Sequence, residues 1–212
     1  MYMKYRLSCI AAACLALELT AGAVAYAEDA RFTGPSVAVG LGVSRNQIDW
    51  SDTSATSSEK KTTAVGRLDL SYGLGIAPQT VLTLGASYDL NKSDFGDYRY
   101  VESGTTYTGQ TKMKQHFSLY VAPGYQFSPT WLGYAKLAWH NAKFEYSEAG
   151  ENDQLTHNGF GFGLGTSMAL TQNIEVRFEV QQVLFRRKSE GDGAVSARPK
   201  STEAVVYLGY RF

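Results

Sequence analysis

The stretch GFGFGLGTSMALTQNIEVRFEV, Gly159–Val180, decides the fold. Its first half sets Phe160, Phe162, Leu164, Met168 and Leu170 against Gly161, Gly163, Gly165, Ser167 and Ala169. Its second half sets Ile174, Val176, Phe178 and Val180 against Glu175, Arg177 and Glu179. A period of two is the period of a strand. Thr171-Gln172-Asn173 between the halves reads as a tight turn. Two antiparallel strands are therefore expected, each with one charge-free apolar face and one face of small or charged residues.

Working outward, the same alternation recurs six times. Val37, Val39, Leu41 and Val43 oppose Ser36, Ala38, Gly40, Gly42 and Ser44, while Leu68, Leu70, Tyr72 and Leu74 oppose Arg67, Asp69, Ser71 and Gly73. Leu82, Leu84, Ala86, Tyr88 and Leu90 oppose Thr83, Gly85, Ser87 and Asp89. Phe117, Leu119, Val121, Pro123, Tyr125 and Phe127 oppose Ser118, Tyr120, Ala122, Gly124 and Gln126. Ala135, Leu137 and Trp139 face away from Tyr134, Lys136 and His140, and Ala204, Val206, Leu208, Tyr210 and Phe212 from Glu203, Val205, Tyr207, Gly209 and Arg211. The total is eight strands, an even number. Their connections alternate between short turns (Pro78-Gln79, Ser128-Pro129-Thr130, Thr171-Gln172-Asn173) and long polar loops expected over 51–62, 91–111, 147–158 and 186–202. Short turns at one end and long loops at the other are the layout of outer-membrane barrels.

Parity alone does not say which face is inside. In a soluble eight-stranded barrel the apolar set would line the interior. The charges decide the matter. Arg67, Asp69, Asp89, Lys136, Glu175, Arg177, Glu179 and Arg211 all lie on the polar face. Facing lipid at mid-depth, each Arg or Lys would cost about 2–4 kcal/mol, whereas in a lumen cations and carboxylates pair. A soluble protein turned the other way would expose large apolar patches. Aromatics also sort by height, with Tyr72, Tyr125, Phe127, Trp131, Tyr210 and Phe212 near the short turns, and Trp50, Tyr88, Phe117, Trp139 and Tyr146 near the loops. Two such belts mark the two interfaces of a bilayer. The expected fold is an all-β, eight-stranded antiparallel up-and-down transmembrane β-barrel.

The N-terminus reads separately. Lys4 and Arg6 precede an apolar run from Leu7 to Val24, and Ala25-Tyr26-Ala27 fits a small-x-small cleavage site. Residues 1–27 are expected to be a cleaved signal peptide and 28–212 the barrel domain. Removing Lys4, Arg6 and Glu18 from 20 charges of each sign leaves 18 basic and 19 acidic, which offers no electrostatic footprint for nucleic acid. Both cysteines, Cys9 and Cys14, fall within the signal, so no disulfide or thiolate metal site is expected in the barrel.

The final segment, Val206–Phe212, resembles the C-terminal signature of outer-membrane proteins. With Leu119–Trp139 and Gly159–Val180, it resembles the small OmpX-, Ail- and opacity-type surface barrels. The resemblance covers most of the chain after the signal. It implies an integral protein of the Gram-negative outer membrane, with extracellular loops and no cofactor, that serves membrane integrity, adhesion or surface contact. It further implies that Phe212, Tyr210 and Leu208 form an assembly signal for the barrel-assembly machinery.

Three functional readings follow. His116-Phe117-Ser118 resembles the His-x-Ser pair of outer-membrane lipid A deacylases, in which the His activates the Ser. Here both residues face inward by parity and no acidic partner follows on the fifth strand, so His116 and Ser118 are expected to be ordinary lumen residues. His140 is expected to take a lumenal hydrogen bond, and His157 to be a solvated loop residue. A narrow channel is a second reading. Eight strands leave an interior that side chains just fill, although Gly40, Gly42, Gly161, Gly163 and Gly165 leave room in it. The third reading places function in the loops, where binding usually resides. The second loop carries Phe95, Tyr98, Tyr100 and Tyr107, suited to contact a host or surface ligand. Arg186, Arg187 and Lys188 lie at the outer rim, where they suit lipopolysaccharide phosphates.

Overall fold

A strand that alternates apolar and polar side chains leaves its backbone N–H and C=O groups unmet, and in lipid only a closed ring of strands pairs them all. In the computed structural model the segments close in this way. The structure describes residues 30–52, 56–102, 105–148, 151–190 and 195–212. The expected signal peptide, residues 1–27, lies outside them. A short 3₁₀ turn, Ala30–Phe32, precedes β1 (Gly34–Asp52), β2 (Thr56–Ala77), β3 (Thr80–Asp89), β4 (Ser93–Glu102) and β5 (Thr105–Ser128). There follow β6 (Trp131–Glu148), β7 (Glu151–Ala169), β8 (Ile174–Phe185), β9 (Lys188–Glu190) and β10 (Val195–Arg211).

All pairings are antiparallel, and β1 pairs with both β2 and β10, which shuts the ring. β4 continues β3 along β5, and β9 continues β8 along β10. Around the circumference there are thus eight staves, as expected. The apolar faces look outward. Leu41, Leu137, Leu164 and Leu208 are exposed on the outer wall, and Arg67, Asp69, Lys136, Glu175 and Glu179 are buried inside. On β5 the outward band from Phe117 to Phe127 spans eleven residues, or ten inter-residue steps. At about 3.4 Å per residue and a tilt near 40°, that is a height of about 26 Å, the thickness of an outer-membrane apolar band. At its ends Phe117 meets Trp139 (centroids 5.6 Å apart) and Phe127 stacks on Trp131 (6.3 Å).

The four long connections differ from expectation. Most of 51–62, 91–111, 147–158 and 186–202 is strand, and only the tips at 53–55, 103–104, 149–150 and 191–194 lie outside the described residues. The reason is a change of solvent. Above the membrane the outer wall faces water, so polar residues there do not signal a loop, and the ladder continues. The sense of alternation reverses at the same height. In β6 the outward Leu137 and Trp139 give way to outward Lys143 and Glu145, with Ala142 and Phe144 buried inside. Tyr146 follows the inner set and packs beside them, so it does not belong to the outer aromatic belt.

Two irregularities place the interior. Between Lys114 and Phe117 β5 carries one extra residue against β6, with Gln115 at φ 50°, and this bulge moves the inward set from His116, Ser118 and Tyr120 below to Met113 and Thr111 above. Between β3 and β4, Asn91 replaces ladder bonds to β2 with side-chain bonds to Gly66 N and Ala64 O. The chain then turns inward. Asp94 O accepts from Asn46 Nδ2 at 2.7 Å, and Gly96, at φ 108°, carries a bend that lays Phe95 across the mouth.

Candidate functional site

Buried charged and titratable groups gather in the interior of the barrel, and they are layered. At the short-turn end Phe32 folds under the ring and packs with Val81, Leu132 and Ala169. Above it lies the charged layer. Arg211 bonds Glu175 (2.8 Å), Arg177 bonds Asp69 (2.5 Å), Lys136 bonds Glu179 (2.8 Å), and Arg67 bonds both Asp89 (2.5 Å) and Glu203 (2.8 Å). Every lumenal charge expected from parity is in this network. Glu203 joins as a fifth carboxylate. Its position on the polar face of the last strand was the available signal for it. Tyrosine hydroxyls complete the set: Tyr120 donates to Asp69 at 3.0 Å, and Tyr134 to Glu179 at 3.1 Å.

The glycines expected to leave room do not. A Cβ at Gly40 would lie 2.6 Å from the ring of Tyr207, one at Gly165 would strike the ring of Tyr134, and one at Gly161 the imidazole of His140. Gly85 sits under Tyr120 in the same way. Each is the flat floor on which an aromatic ring from another stave lies. The space is occupied because the ring and its floor are far apart in sequence, so no local pattern reveals the match. Lys136 also sits over the Tyr120 ring, 4.2 Å from its centroid.

Above the charges sits a second apolar layer: Ile48, Phe95, Met113, Ala142, Phe144, Val183 and Phe185. Phe144 meets Phe95 edge-on at 4.9 Å and Phe185 at 5.2 Å. These residues come from five staves and close the lumen from the extracellular side.

The three histidines lie on or under this layer. His116 Nδ1 donates to Asp89 Oδ2 at 2.6 Å, and its Nε2 lies 2.9 Å from His140 Nδ1. His140 thus has its lumenal partner, as expected. His157 does not behave as expected. It is fully buried on β7, 4.9 Å from the Phe144 ring, and bonds Tyr146 and Arg186 O at 3.3 Å each. The polar residues around it in sequence belong to the water-facing wall, and only the inward parity of β7 identifies it.

For His116 and Ser118 the structure both adds and removes something. The acidic partner absent from the fifth strand is present on β3 as Asp89, an Asp–His unit that sequence distance concealed. The nucleophile pairing is absent, because Ser118 Oγ is bonded to Ser87 Oγ at 2.8 Å and His116 Nε2 is taken by His140. Neither is exposed, and the apolar layer lies above them. Among the described residues no three His, Cys, Asp or Glu side chains converge as a metal site.

Outside, Arg186 and Arg187 are exposed at the upper end of β8, and the Lys188 side chain lies outside the described residues. The Arg186 position adjoins an open groove of about 580 Å³ on the outer wall, lined among others by Arg45, Lys60, Arg198 and Lys200. At the other end Leu208, Tyr210 and Phe212 all face outward, with Tyr210 and Phe212 edge-to-face at 5.1 Å.

No curated protein matches this chain. Among solved structures, Ail of Yersinia pestis bound to the heparin analogue sucrose octasulfate aligns with 85% of this chain and 100% of its own, at 14% identity and a TM-score of 0.48. Neisserial surface protein A aligns with 84% and 99% at 15% identity and 0.47, and the outer-membrane protease OmpT of Escherichia coli with 84% and 96% at 8% identity and 0.52. At such identities the likeness speaks to fold alone. The family model of the outer membrane protein β-barrel domain matches residues 10–212, and the chain therefore belongs to that family and resides in the bacterial outer membrane.

Proposed function

We propose that this protein is a sealed, non-enzymatic surface barrel that stabilises the outer leaflet and presents its extracellular staves to surface partners. The observation that carries the reading is the apolar layer over the charged layer. Ile48, Phe95, Phe144, Val183 and Phe185 close one end and Phe32, Val81 and Leu132 the other, while tyrosine rings lie over the glycines between. A hydrated pathway would have to pass two dry layers, which disfavours a channel. The outward C-terminal residues Leu208, Tyr210 and Phe212 are the surface we assign to contact with the barrel-assembly machinery.

Planar-bilayer recording of the folded barrel is the test. No stepwise conductance is expected from the parent, whereas Phe95→Gly with Phe144→Gly, which opens the upper layer, is expected to produce brief events. Stable conductance from the parent would overturn the reading.

Hydrolytic chemistry on lipid A has one observation in its favour, the Asp89–His116 bond. It lacks a free base nitrogen on Ser118 and a path for substrate. Mass spectrometry of lipid A from cells with and without the protein decides between the two. A mass change lost in Ser118→Ala would establish catalysis.

A further inference from the structure

Follow β2, β1, β10 and β8 upward along their outer faces. Each leaves the membrane with apolar residues: Leu68 on β2, Leu41 and Val43 on β1, Val206 on β10, Phe178 and Val180 on β8. Two positions above Val43 stands Arg45, which pairs in register with Thr62 on one side and Thr202 on the other. Two residues further up, Gln47 lies between Lys60 and Lys200, and Arg198 is next above Lys200 on the same face. Arg186 is exposed one residue past the end of β8, two beyond Leu184, which itself pairs with Lys200. Among the described residues Asp49 is the carboxylate on this wall, and it is already bonded to Lys200. Arg45, Lys60, Arg186 and Arg198 form no ion pair with any described residue.

Arg45, Lys60, Arg198 and Lys200 line a groove of about 580 Å³, with Gln182 and Thr202 supplying uncharged hydrogen-bonding groups. It opens sideways, onto the wall, at the height where the apolar band stops. An occupant must therefore present anionic oxygens to guanidinium and ammonium groups while its remainder lies against the exposed Leu41, Val43, Val206 and Val180 directly below. That is the shape of a membrane amphiphile and not of a soluble anion.

We infer that this groove holds the phosphate groups of a phosphorylated glycolipid of the outer leaflet, with the acyl chains running down the staves beneath it. Arg45 takes the phosphate nearest the hydrocarbon, and Lys60, Arg186 and Arg198 take charge further out. The site enlarges the rim contact expected at Arg186, Arg187 and Lys188, with β1, β2 and β10 providing its larger part. It rests on the barrel's orientation in the outer membrane and on the proposed role in stabilising the outer leaflet.

The test uses the folded, full-length barrel in neutral detergent, titrated with bisphosphorylated lipid A and with the same lipid after chemical dephosphorylation, binding being read by native mass spectrometry. The parent is expected to prefer the phosphorylated form by at least about tenfold, and Arg45→Gln/Lys60→Gln/Arg198→Gln to erase that preference. Millimolar inorganic phosphate is expected to leave the bound lipid in place. Lys112→Gln/Lys114→Gln/Lys143→Gln, which removes three cations from the β5–β6 wall, is expected to retain the preference. Heat-modifiable migration on gels confirms that each variant is folded. An unchanged preference in the groove variant, an equal loss in the β5–β6 variant, or displacement by inorganic phosphate would each overturn the assignment. Parent conductance in bilayers would overturn the sealed-barrel reading and leave this result standing.

Discussion

Replacing Arg67 by methionine tests whether the lumen is dry. The Arg67 side chain is 1% exposed and holds two carboxylates, Asp89 at 2.5 Å and Glu203 at 2.8 Å. A unit-charge pair about 4 Å apart is worth about 1 kcal/mol in water and about 4 kcal/mol at an effective dielectric near 20. If the apolar layers seal the charges, removing the cation strands two anions away from water, which costs about 3–5 kcal/mol. Remaining bonds pull the expectation to the lower end. Asp89 keeps His116 at 2.6 Å, and Glu203 keeps Gln181 at 2.6 Å. A loss of about 3 kcal/mol is expected for Arg67→Met, and adding Glu203→Gln, which neutralises one stranded charge, should recover about half. Both are measured by urea unfolding in bilayers, followed by tryptophan fluorescence. A loss below about 1 kcal/mol is what a solvent-exposed pair gives, and it would refute the dry lumen.

Three further outcomes follow from the same geometry. Gly85→Val places side-chain atoms in the Tyr120 ring and should cost about 1–3 kcal/mol in the same unfolding assay, while Gly133→Ala, whose Cβ would make ordinary contact with Phe127 at 3.4 Å, should be close to neutral. Leu164→Arg turns a cation toward lipid from a side chain that is 69% exposed on the outer wall, and a loss of about 2–4 kcal/mol is expected, with refolding yield falling in parallel. Above the membrane, the hydrogen bond from Lys114 (2.9 Å) holds the Glu145 carboxyl below its ordinary value. A lowered folded-state value means the contribution is present above the unfolded carboxyl range and is lost as pH falls through the folded value. NMR titration should show the lowered midpoint, and Lys114→Gln should return it to the ordinary range; an unchanged midpoint in that variant would remove Lys114 as the cause.

The apolar face of each spanning strand was legible residue by residue. Leu41 or Leu164 against a glycine or a charge is a local alternation, and lipid enforces it with a cost of kilocalories per violation, so strand count, orientation and the inward position of Arg67, Lys136 and Arg177 could all be read without a structure. Above the membrane that enforcement ends, and so did the reading. Water on the outer wall reverses the alternation, which made the Phe95 and His157 stretches look like loops when they are walls with a core inside.

Which inward groups meet was beyond any local pattern. Asp89 reaches His116 across 27 positions, Arg67 reaches Glu203 across 136, and the partners are set by the stagger of the closed ring and by the bulge at Gln115. The sequence alone determined the cylinder and its direction in the membrane, because a two-residue period against lipid is a local quantity. Only the tertiary structure revealed the apolar layer over the charges, because it forms from side chains of five staves arriving at one height.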